Sequence, residues 1–425
     1  MGAAASCASE SDPTAADAPL DAGATSSDAG VSGDVADTSA PAHVDAGRSD
    51  AGPTAVTCGE DKCVTSLVTV GYGEGFCAHY HDDTVLCWGE NTKGQLGRGD
   101  ETNNYGDGTP TRVVGVSNVV DLNHTCAVDR NGDTWCWGTG AFLRDETQPV
   151  TTEKTPVKLP LPPATKVMIE SFYDHGVGCA VTQVGLLCWG SNLYGMLGQP
   201  AFGDDLHAPQ PPRTIAMPNG APIRALAMGH AAFALREDET LTSWGANPPL
   251  GRISSLFPDP KPKPIALSSV KDVDVQGDNA CAVAEGIAYC WGTPPGNPYT
   301  GSALPLGRAL PEPVPTPEPV VQIATATSTS NVDPRRGCAV SDKGNVYCWG
   351  DNANGQVGDG TKNYATSAVK VALPEPAAQV KTTSKTTCAL LLSGKVMCWG
   401  DDGFGQLGAG TLRKPSLVPQ EVVLP

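Results

Sequence analysis

Cys338-Ala339-Val340-Ser341-Asp342-Lys343-Gly344-Asn345-Val346-Tyr347-Cys348-Trp349-Gly350 decides how the whole chain is read. It is a short apolar strand opened by Cys, a tight turn, and a second strand closed by Cys-Trp-Gly. The motif recurs seven times, with its Trp at Trp88, Trp137, Trp189, Trp244, Trp291, Trp349 and Trp399. Successive gaps are 49, 52, 55, 47, 58 and 50 residues. A period of about 40–50 residues built from short strands marks propeller blades, not helical solenoids. The 49 Gly and 37 Pro, with no sustained helical periodicity, also disfavour helices. The expected fold is all-β: a seven-bladed β-propeller with repeats of about 51 residues.

Six repeats carry a Cys pair: Cys77 with Cys87, Cys126 with Cys136, Cys179 with Cys188, Cys281 with Cys290, Cys338 with Cys348 and Cys388 with Cys398. The members lie ten or nine residues apart. Ten fits a three-residue loop such as Asp342-Lys343-Gly344, with Gly third for a type I turn and bulge. Nine fits a two-residue loop such as Glu285-Gly286. Either loop sets the two Cys directly opposite on a hairpin, with Cα atoms about 4.5–5.5 Å apart, within reach of a disulfide. In the fourth repeat the two positions are Phe233 and Ser243, so both Cys are missing together. Loss as a pair is what a bonded partnership predicts, whereas small buried Cys that merely pack could be lost singly. Cys58 and Cys63 are close enough to form a seventh bridge. Two Cys alone, with no second pair nearby, do not make a zinc site.

Fourteen of the 15 Cys are thereby paired, and Cys7 is left over. That arithmetic points to an oxidising compartment. The net charge of −18 argues against a nucleic-acid partner, because phosphate binding needs a basic surface. No run of residues approaches the length of a membrane-spanning helix.

Residues 1–56 are mostly Ala, Asp, Gly, Ser, Thr, Pro and Val, carry no aromatic residue, and are expected to be a disordered tether. Residues 57–425 are expected to form the propeller. The start, Met1-Gly2-Ala3-Ala4-Ala5-Ser6-Cys7, has three readings. It resembles the end of a lipoprotein signal with Cys7 lipidated, but lacks the apolar core of such a signal. It matches the myristoylation pattern through Gly2 and Ser6, which conflicts with the disulfides. It also reads as an arbitrary low-complexity start. Leu67-Val68-Thr69-Val70 opens the folded part as a strand. Val418-Pro419-Gln420-Glu421-Val422-Val423-Leu424 reads as a strand that completes the first blade. The ring is then closed by pairing of the N- and C-terminal segments, which protects the edges.

Downstream of the Cys-Trp-Gly lie Gly94-Gln95-Leu96-Gly97, Gly195-Met196-Leu197-Gly198, Gly355-Gln356-Val357-Gly358 and Gly405-Gln406-Leu407-Gly408. With the hairpin before it, Cys348-Trp349-Gly350-Asp351-Asn352-Ala353-Asn354-Gly355-Gln356-Val357-Gly358 resembles the repeat of the regulator of chromosome condensation family. The resemblance covers about residues 65–425 and implies a seven-bladed β-propeller. The internal Cys pairs are similar to the secreted bacterial branch of that family. Some copies depart from the pattern: Ala141-Phe142-Leu143-Arg144 in the second, Pro249-Leu250-Gly251 in the fourth and Pro305-Leu306-Gly307 in the fifth. Pro-rich insertions at 149–164, 199–222, 248–264 and 294–319 read as extended loops. Such insertions map to one face of a propeller, often the binding face.

No catalytic constellation stands out. There is no nucleophile elbow, and the Gly-Gln-Leu-Gly segments lack the Lys of a phosphate-binding loop, so their Gly serve tight turns. His124, His175 and His230 precede the first Cys or Phe233 of their hairpins, and the resemblance implies a structural role there. Asp129, Asn131 and Asp133 alternate as in a calcium loop, but no Glu closes twelve residues. No metal or cofactor is expected. The expected function is a non-enzymatic, exported binding scaffold, monomeric, presenting face loops to a protein or surface polymer. It would touch a membrane only through a lipid anchor at Cys7. Tyr105, Phe142, Phe202, Phe257 and Tyr299 are the candidate loop contacts. The resemblance implies two alternatives: a secreted protein inhibitor of a hydrolase, and a guanine-nucleotide exchange factor for a small GTPase. The acidic charge and the Cys pairs count against exchange.

Overall fold

The computed structural model describes residues 55–59, 63–71, 73–99, 106–140, 151–172, 175–200, 209–292, 309–327 and 335–425. They belong to one compact unit, Ser49–Pro425, and form seven four-stranded antiparallel sheets. Blade 1 is β1 (Val64–Thr69), β2 (Gly75–Tyr80), β3 (Val85–Gly89) and β4 (Asp107–Arg112). Blade 2 is β5 (Val119–Asn123), β6 (Cys126–Asp129), β7 (Thr134–Gly140) and β8 (Thr151–Lys158). Blade 3 is β9 (Ala164–Phe172), β10 (His175–Thr182), β11 (Gly185–Gly190) and β12 (Gln210–Thr214). Blade 4 is β13 (Ile223–Met228), β14 (Ala231–Arg236), β15 (Leu241–Gly245) and β16 (Asp259–Pro264). Blade 5 is β17 (Val270–Gln276), β18 (Asn279–Ala284), β19 (Ile287–Gly292) and β20 (Glu312–Val314). Blade 6 is β21 (Val320–Thr327), β22 (Arg335–Ser341), β23 (Val346–Gly350) and β24 (Ala365–Lys370). Blade 7 is β25 (Ala377–Thr382), β26 (Thr386–Leu391), β27 (Val396–Gly400) and β28 (Ser416–Glu421). The first strands of neighbouring blades lie side by side around the axis, blade 7 next to blade 1.

The hairpin register is the one the Cys spacing implies. Directly opposite each other on the second and third strands sit Cys77 and Cys87, Cys126 and Cys136, Cys179 and Cys188, Cys281 and Cys290, Cys338 and Cys348, and Cys388 and Cys398. All six pairs are bonded, each with Cα atoms 4.1 Å apart, a little closer than an ordinary pair of facing residues. Cys87, Cys136, Cys188 and Cys398 on the third strands are fully buried. These four bridges are therefore staples inside the blades, whereas Cys290 of the Cys281–Cys290 bridge is only partly buried. Cys58 and Cys63 are bonded as well, at 5.6 Å.

The Trp-Gly and Gly-Gln-Leu-Gly segments turn out to be two halves of one joint between blades. The indole N–H of Trp137 donates to Gln95 O at 2.8 Å, Trp244 to Met196 O at 2.8 Å, Trp291 to Pro249 O at 2.7 Å and Trp399 to Gln356 O at 2.9 Å. Each carbonyl belongs to the preceding blade. A buried indole needs a partner for its N–H, and a tight Gly-rich turn presents a bare carbonyl to it. Gly358 shows why the second Gly is required: its φ is +83°, and a Cβ there would lie 2.5 Å from Trp399 Nε1. Trp88, Trp137, Trp189, Trp244 and Trp399 are fully buried.

The C-terminal strand corrects one expectation. β28 pairs with β27 inside blade 7 and does not complete blade 1. The two ends of the chain still meet to close the ring. Thr57 N donates to Leu392 O at 2.8 Å, Val64 N to Gly394 O at 3.0 Å and Gly410 N to Gly108 O at 2.9 Å. Trp88 of blade 1 donates to Gln406 O of blade 7 at 3.1 Å, so the closing joint is the repeat's own joint. Val422 and Leu424 pack into one core with Val64, Leu67 and Trp88, and Val56 lies against it. The fold therefore reaches back at least to Val56. The rest of the expected tether, with Cys7, lies outside the described residues.

The Pro-rich insertions are corrected too. Each ends in the outermost strand of its blade: β8 within 149–164, β12 within 199–222, β16 within 248–264 and β20 within 294–319. β16 reads Asp-Pro-Lys-Pro-Lys-Pro. An outer strand needs ladder bonds on one side only, so it tolerates Pro, and Pro on that edge blocks pairing with another sheet.

Candidate functional site

The antiparallel order assigns every connection to one of two faces. First-to-second and third-to-fourth strand connections emerge on one face, here the long-loop face. Second-to-third hairpin turns and blade-to-blade connections emerge on the other. Phe257 lies between β15 and β16, on the long-loop face. By chain position Tyr105 falls between β3 and β4, Phe142 between β7 and β8, Phe202 between β11 and β12, and Tyr299 between β19 and β20. These four lie outside the described residues.

On blade 4 that face carries a compact apolar projection. Ile253, Leu256 and Phe257 are 68%, 46% and 75% exposed. Their loop is held from beneath by Asp259, which is fully buried. Asp259 accepts from Arg252 at 2.7 Å, Ser254 at 2.8 Å and Lys263 at 3.2 Å. Desolvation would raise the Asp259 pKa, but these donors hold it well below the usual carboxylate range. A loop so clasped presents its apolar side chains without a large ordering cost.

Around the axis, polar side chains of the inner strands bind one blade to the next. Asp121 accepts from Val167 N at 3.1 Å and pairs with Lys166 at 2.8 Å. Asp272 accepts from Ile323 N, Asp274 from Thr325 N and Gln276 from Thr327 N, at 2.9, 2.8 and 2.7 Å. Gln322 reaches Val380 N and Gln379 reaches Leu67 N, both at 2.8 Å. Lys381 pairs with Asp274 of blade 5 at 3.2 Å, across blade 6, so side chains fill the axis there. Burial pushes the Asp272 carboxyl up to about 6.

At the closing seam, Glu74 accepts from Thr383 and Ser384 of blade 7. Arg336 of blade 6 is 1% exposed and donates to Thr383 O, Gln356 O, Thr386 O and Thr387 Oγ1. Burial brings its pKa down to about 10. Arg336 thus ties blade 6 to blade 7, and Glu74 ties blade 7 to blade 1. Nothing in the sequence pattern singles Arg336 out, because its six counterparts are unlike it and unlike one another.

Of the histidines considered, His124 bonds Thr69 Oγ1 and O through Nδ1, at 3.2 and 3.1 Å. His230 Nδ1 pairs with Asp278 Oδ1 at 2.8 Å. The side chain of His175 lies outside the described residues. Asp129 accepts from Asn131 N, Asp133 N and Trp135 Nε1, so its alternation with Asn131 and Asp133 shapes a turn. Among the described residues no group of three or more His, Cys, Asp or Glu could hold a metal ion.

Several hollows open on this side of the ring, among them one of about 20 Å³ lined by Lys93, Gln95, His124 and Thr125. One of about 170 Å³ between blades 5 and 6 is lined by Trp291, Trp349, Tyr364, Glu312 and Arg336. A further one, between blades 3 and 4, is much smaller and is lined by Glu170, Val177, Leu193, Tyr194, Met196 and His230.

Comparison with known proteins fits this geometry. Residues 82–128 match the regulator of chromosome condensation (RCC1) repeat, and a second form of that repeat matches 335–356 and 377–406. The ultraviolet-B receptor UVR8 of Arabidopsis thaliana is 28% identical over 313 residues, 69% of this chain and 67% of that one. Human E3 ubiquitin-protein ligase HERC2 is 27% identical over 66% of this chain, which spans only 6% of the ligase. Among solved structures, human WBSCR16 aligns with a TM-score of 0.64 at 18% identity, covering 81% of this chain and 95% of that one. Yeast RCC1 (Prp20), solved bound to Kap60, aligns at 0.62 and 18% identity, with 91% of each chain covered. At such identity these structures speak for the fold. The chain is a seven-bladed propeller of RCC1 repeats.

Proposed function

We propose that this propeller of RCC1 repeats is an exported, non-enzymatic binding scaffold whose long-loop face receives a protein or surface polymer. The observation that carries the reading is topological. The third-to-fourth strand connections, the longest and least repeat-like, leave the same end of their strands, and the described part of that face on blade 4 presents Ile253, Leu256 and Phe257 to solvent. Exposed apolar clusters of this kind mark interaction sites.

Seven disulfides suggest an oxidising, extracytoplasmic setting. Cys7, the one cysteine outside those pairs, is the proposed attachment point to a lipid. A sharper form of the same reading is a cap on a hydrolase, with the Phe257 loop entering its cleft. The competing reading is nucleotide exchange on a small GTPase. It draws on the yeast relative Prp20p, whose binding to Gsp1p and histones is described. The acidic charge of −18 and the disulfides weigh against it here.

The test is site-specific photo-crosslinking in the native cells. A photoreactive side chain is placed at Phe257 on the long-loop face or at Val184, which is 62% exposed on a hairpin turn of the other face. Adducts from position 257 alone are expected. Equal adducts from position 184 would overturn the choice of face.

A further inference from the structure

Glu170 differs from the other acidic groups of the inner wall. Asp121, Asp272, Asp274 and Glu74 each accept hydrogen bonds from a neighbouring blade. Gln276, at the same strand position in blade 5, accepts from Thr327 N. Glu170 lies near the end of β9, is 6% exposed, and has neither a hydrogen bond nor an ion pair among the described residues. Desolvation alone pushes its carboxyl up to about 8. A buried carboxyl without a partner is costly, and one among many satisfied neighbours calls for an explanation.

The hollow in front of it has a definite chemistry. Val177 and Met196 supply apolar walls, and Tyr194 with His230 supplies an aromatic one, the two rings stacked 4.4 Å apart. Among the described residues that line the hollow, His230 and Tyr194 are the titratable groups beside Glu170. His230 is already turned to Asp278 through Nδ1. Leu193 and Tyr194 are only half-buried, and both lie in the third-to-fourth strand connection of blade 3, so the hollow opens on the long-loop face. Its volume of about 10 Å³ admits one water-sized group. An anion would meet a carboxyl, and a planar guanidinium is too broad. A compact ammonium fits, with Glu170 as counter-ion and an aromatic face beside it.

We propose that the Glu170 hollow is a subsite for one primary ammonium group, the end of a lysine side chain that a partner protein lays across the long-loop face. The inference rests on the scaffold reading above and adds to it the chemistry of the partner. The acidic net charge suits a lysine-bearing partner.

The test uses the full chain and Nα-acetyl-lysine methylamide, followed by calorimetry and by NMR shifts of Tyr194 and His230. Saturable one-to-one binding is expected at pH 9. Below about pH 8 the affinity falls roughly tenfold per pH unit, because Glu170 must release a proton for each ammonium taken up. The probe acetylated on Nε does not bind. Glu170→Gln, nearly isosteric, lowers affinity at least tenfold and keeps the melting temperature. Three results would overturn the proposal: no saturable binding at pH 9, binding that Glu170→Gln leaves intact, or wild-type affinity independent of pH between 6 and 9. Any of them would leave the hollow as a site for one buried water. Crosslinking from position 257 reads the face without involving Glu170, so loss of this subsite and loss of the scaffold reading are distinguishable.

Discussion

Blade 1 and blade 4 reach the same hairpin geometry by different means. In blade 1 the facing positions are Cys77 and Cys87, covalently joined. In blade 4 they are Phe233 and Ser243, equally opposed but unbonded. Both blades share an Arg–Asp clasp beneath the hairpin: Arg98 with Asp107 at 2.5 Å and Arg252 with Asp259 at 2.7 Å. In blade 1 Arg98 also donates to Cys87 O at 2.8 Å. In blade 4 Arg252 donates to Ser243 O at 3.2 Å and Ser243 Oγ at 3.3 Å, and Ser243 donates to Leu250 O at 2.6 Å. The Phe233 ring leans on Trp291 of the next blade, 5.9 Å between centroids. The disulfide is therefore an addition to a clasp that already defines the blade. Where it is missing, aromatic packing and a buried hydroxyl network take its place. That network also supports the exposed Phe257 loop, so the blade without a disulfide is one that presents apolar side chains on the candidate face.

The contrast can be broken by reduction, which should have the largest effect. Each hairpin bridge closes a short loop and contributes roughly 2–3 kcal/mol. Six together, about 12–18 kcal/mol, match or exceed the usual margin of a domain, about 5–15 kcal/mol. Reduced chain is expected to unfold at physiological temperature, with amides of β14 and β15 the last to lose hydrogen-exchange protection. Uniform loss across all blades would contradict the distinction.

Deleting residues 416–425 ranks next. It strips β28 from β27 and removes Val422 and Leu424 from the core they share with blade 1. A fall in melting temperature of more than about 10 °C is expected, since several kcal/mol are lost and each shifts a domain by a few degrees. An unchanged transition would mean that the closing seam is held elsewhere.

Arg252→Ala leaves the fully buried Asp259 without its main counter-ion. It should cost about 3–5 kcal/mol by urea denaturation, and Arg98→Ala in blade 1 less, because Asp107 is partly exposed and the bridge remains. Equal costs would deny the clasp its larger role in blade 4.

Installing the missing bridge sharpens the comparison further. Phe233→Cys with Ser243→Cys gains a disulfide but loses the Phe233 ring, worth several kcal/mol in a core, and the Ser243 hydroxyl that accepts from Arg252 and donates to Leu250 O. A net change near zero or negative is expected. A gain of about 2 kcal/mol or more would mean that blade 4 merely lacks a disulfide.

The smallest effect concerns pH. Desolvation lowers the His124 pKa to about 4, from an ordinary 6.5. Between those values the unfolded chain binds the extra proton, so stability is full above about 6.5 and declines as pH falls toward 4. Half-buried, the group should account for about 1–2 kcal/mol. His124→Asn keeps a residue tolerant of the positive φ of 48° there and should flatten that part of the profile.

Much of this was legible in the sequence because repetition supplies its own controls. Seven Trp-Gly pairs, six Cys pairs and one joint absence gave the blades, the register and the buried Trp. The outer strands were not legible: β16, with Pro at every second residue, breaks the usual strand signal because an edge strand can do without those amides. The closing seam was misplaced because a C-terminal strand reads alike whether it completes the first or the last sheet. The Trp-to-Gly-turn joint had a signal that could have been used, since each Gly-rich segment precedes the next Trp by about one repeat. Arg336 and Glu170 had none. The counterparts of each are too varied for any one to stand out, and only burial distinguishes it from drift.

The most direct test is non-reducing peptide mapping by mass spectrometry on protein taken from its native cells, fractionated into cytosol, envelope and medium. The account predicts Cys338 bonded to Cys348, the other pairs likewise, and the protein in envelope or medium. Free thiols in a cytosolic protein would contradict it, and exchange on a small GTPase would then become the function to test.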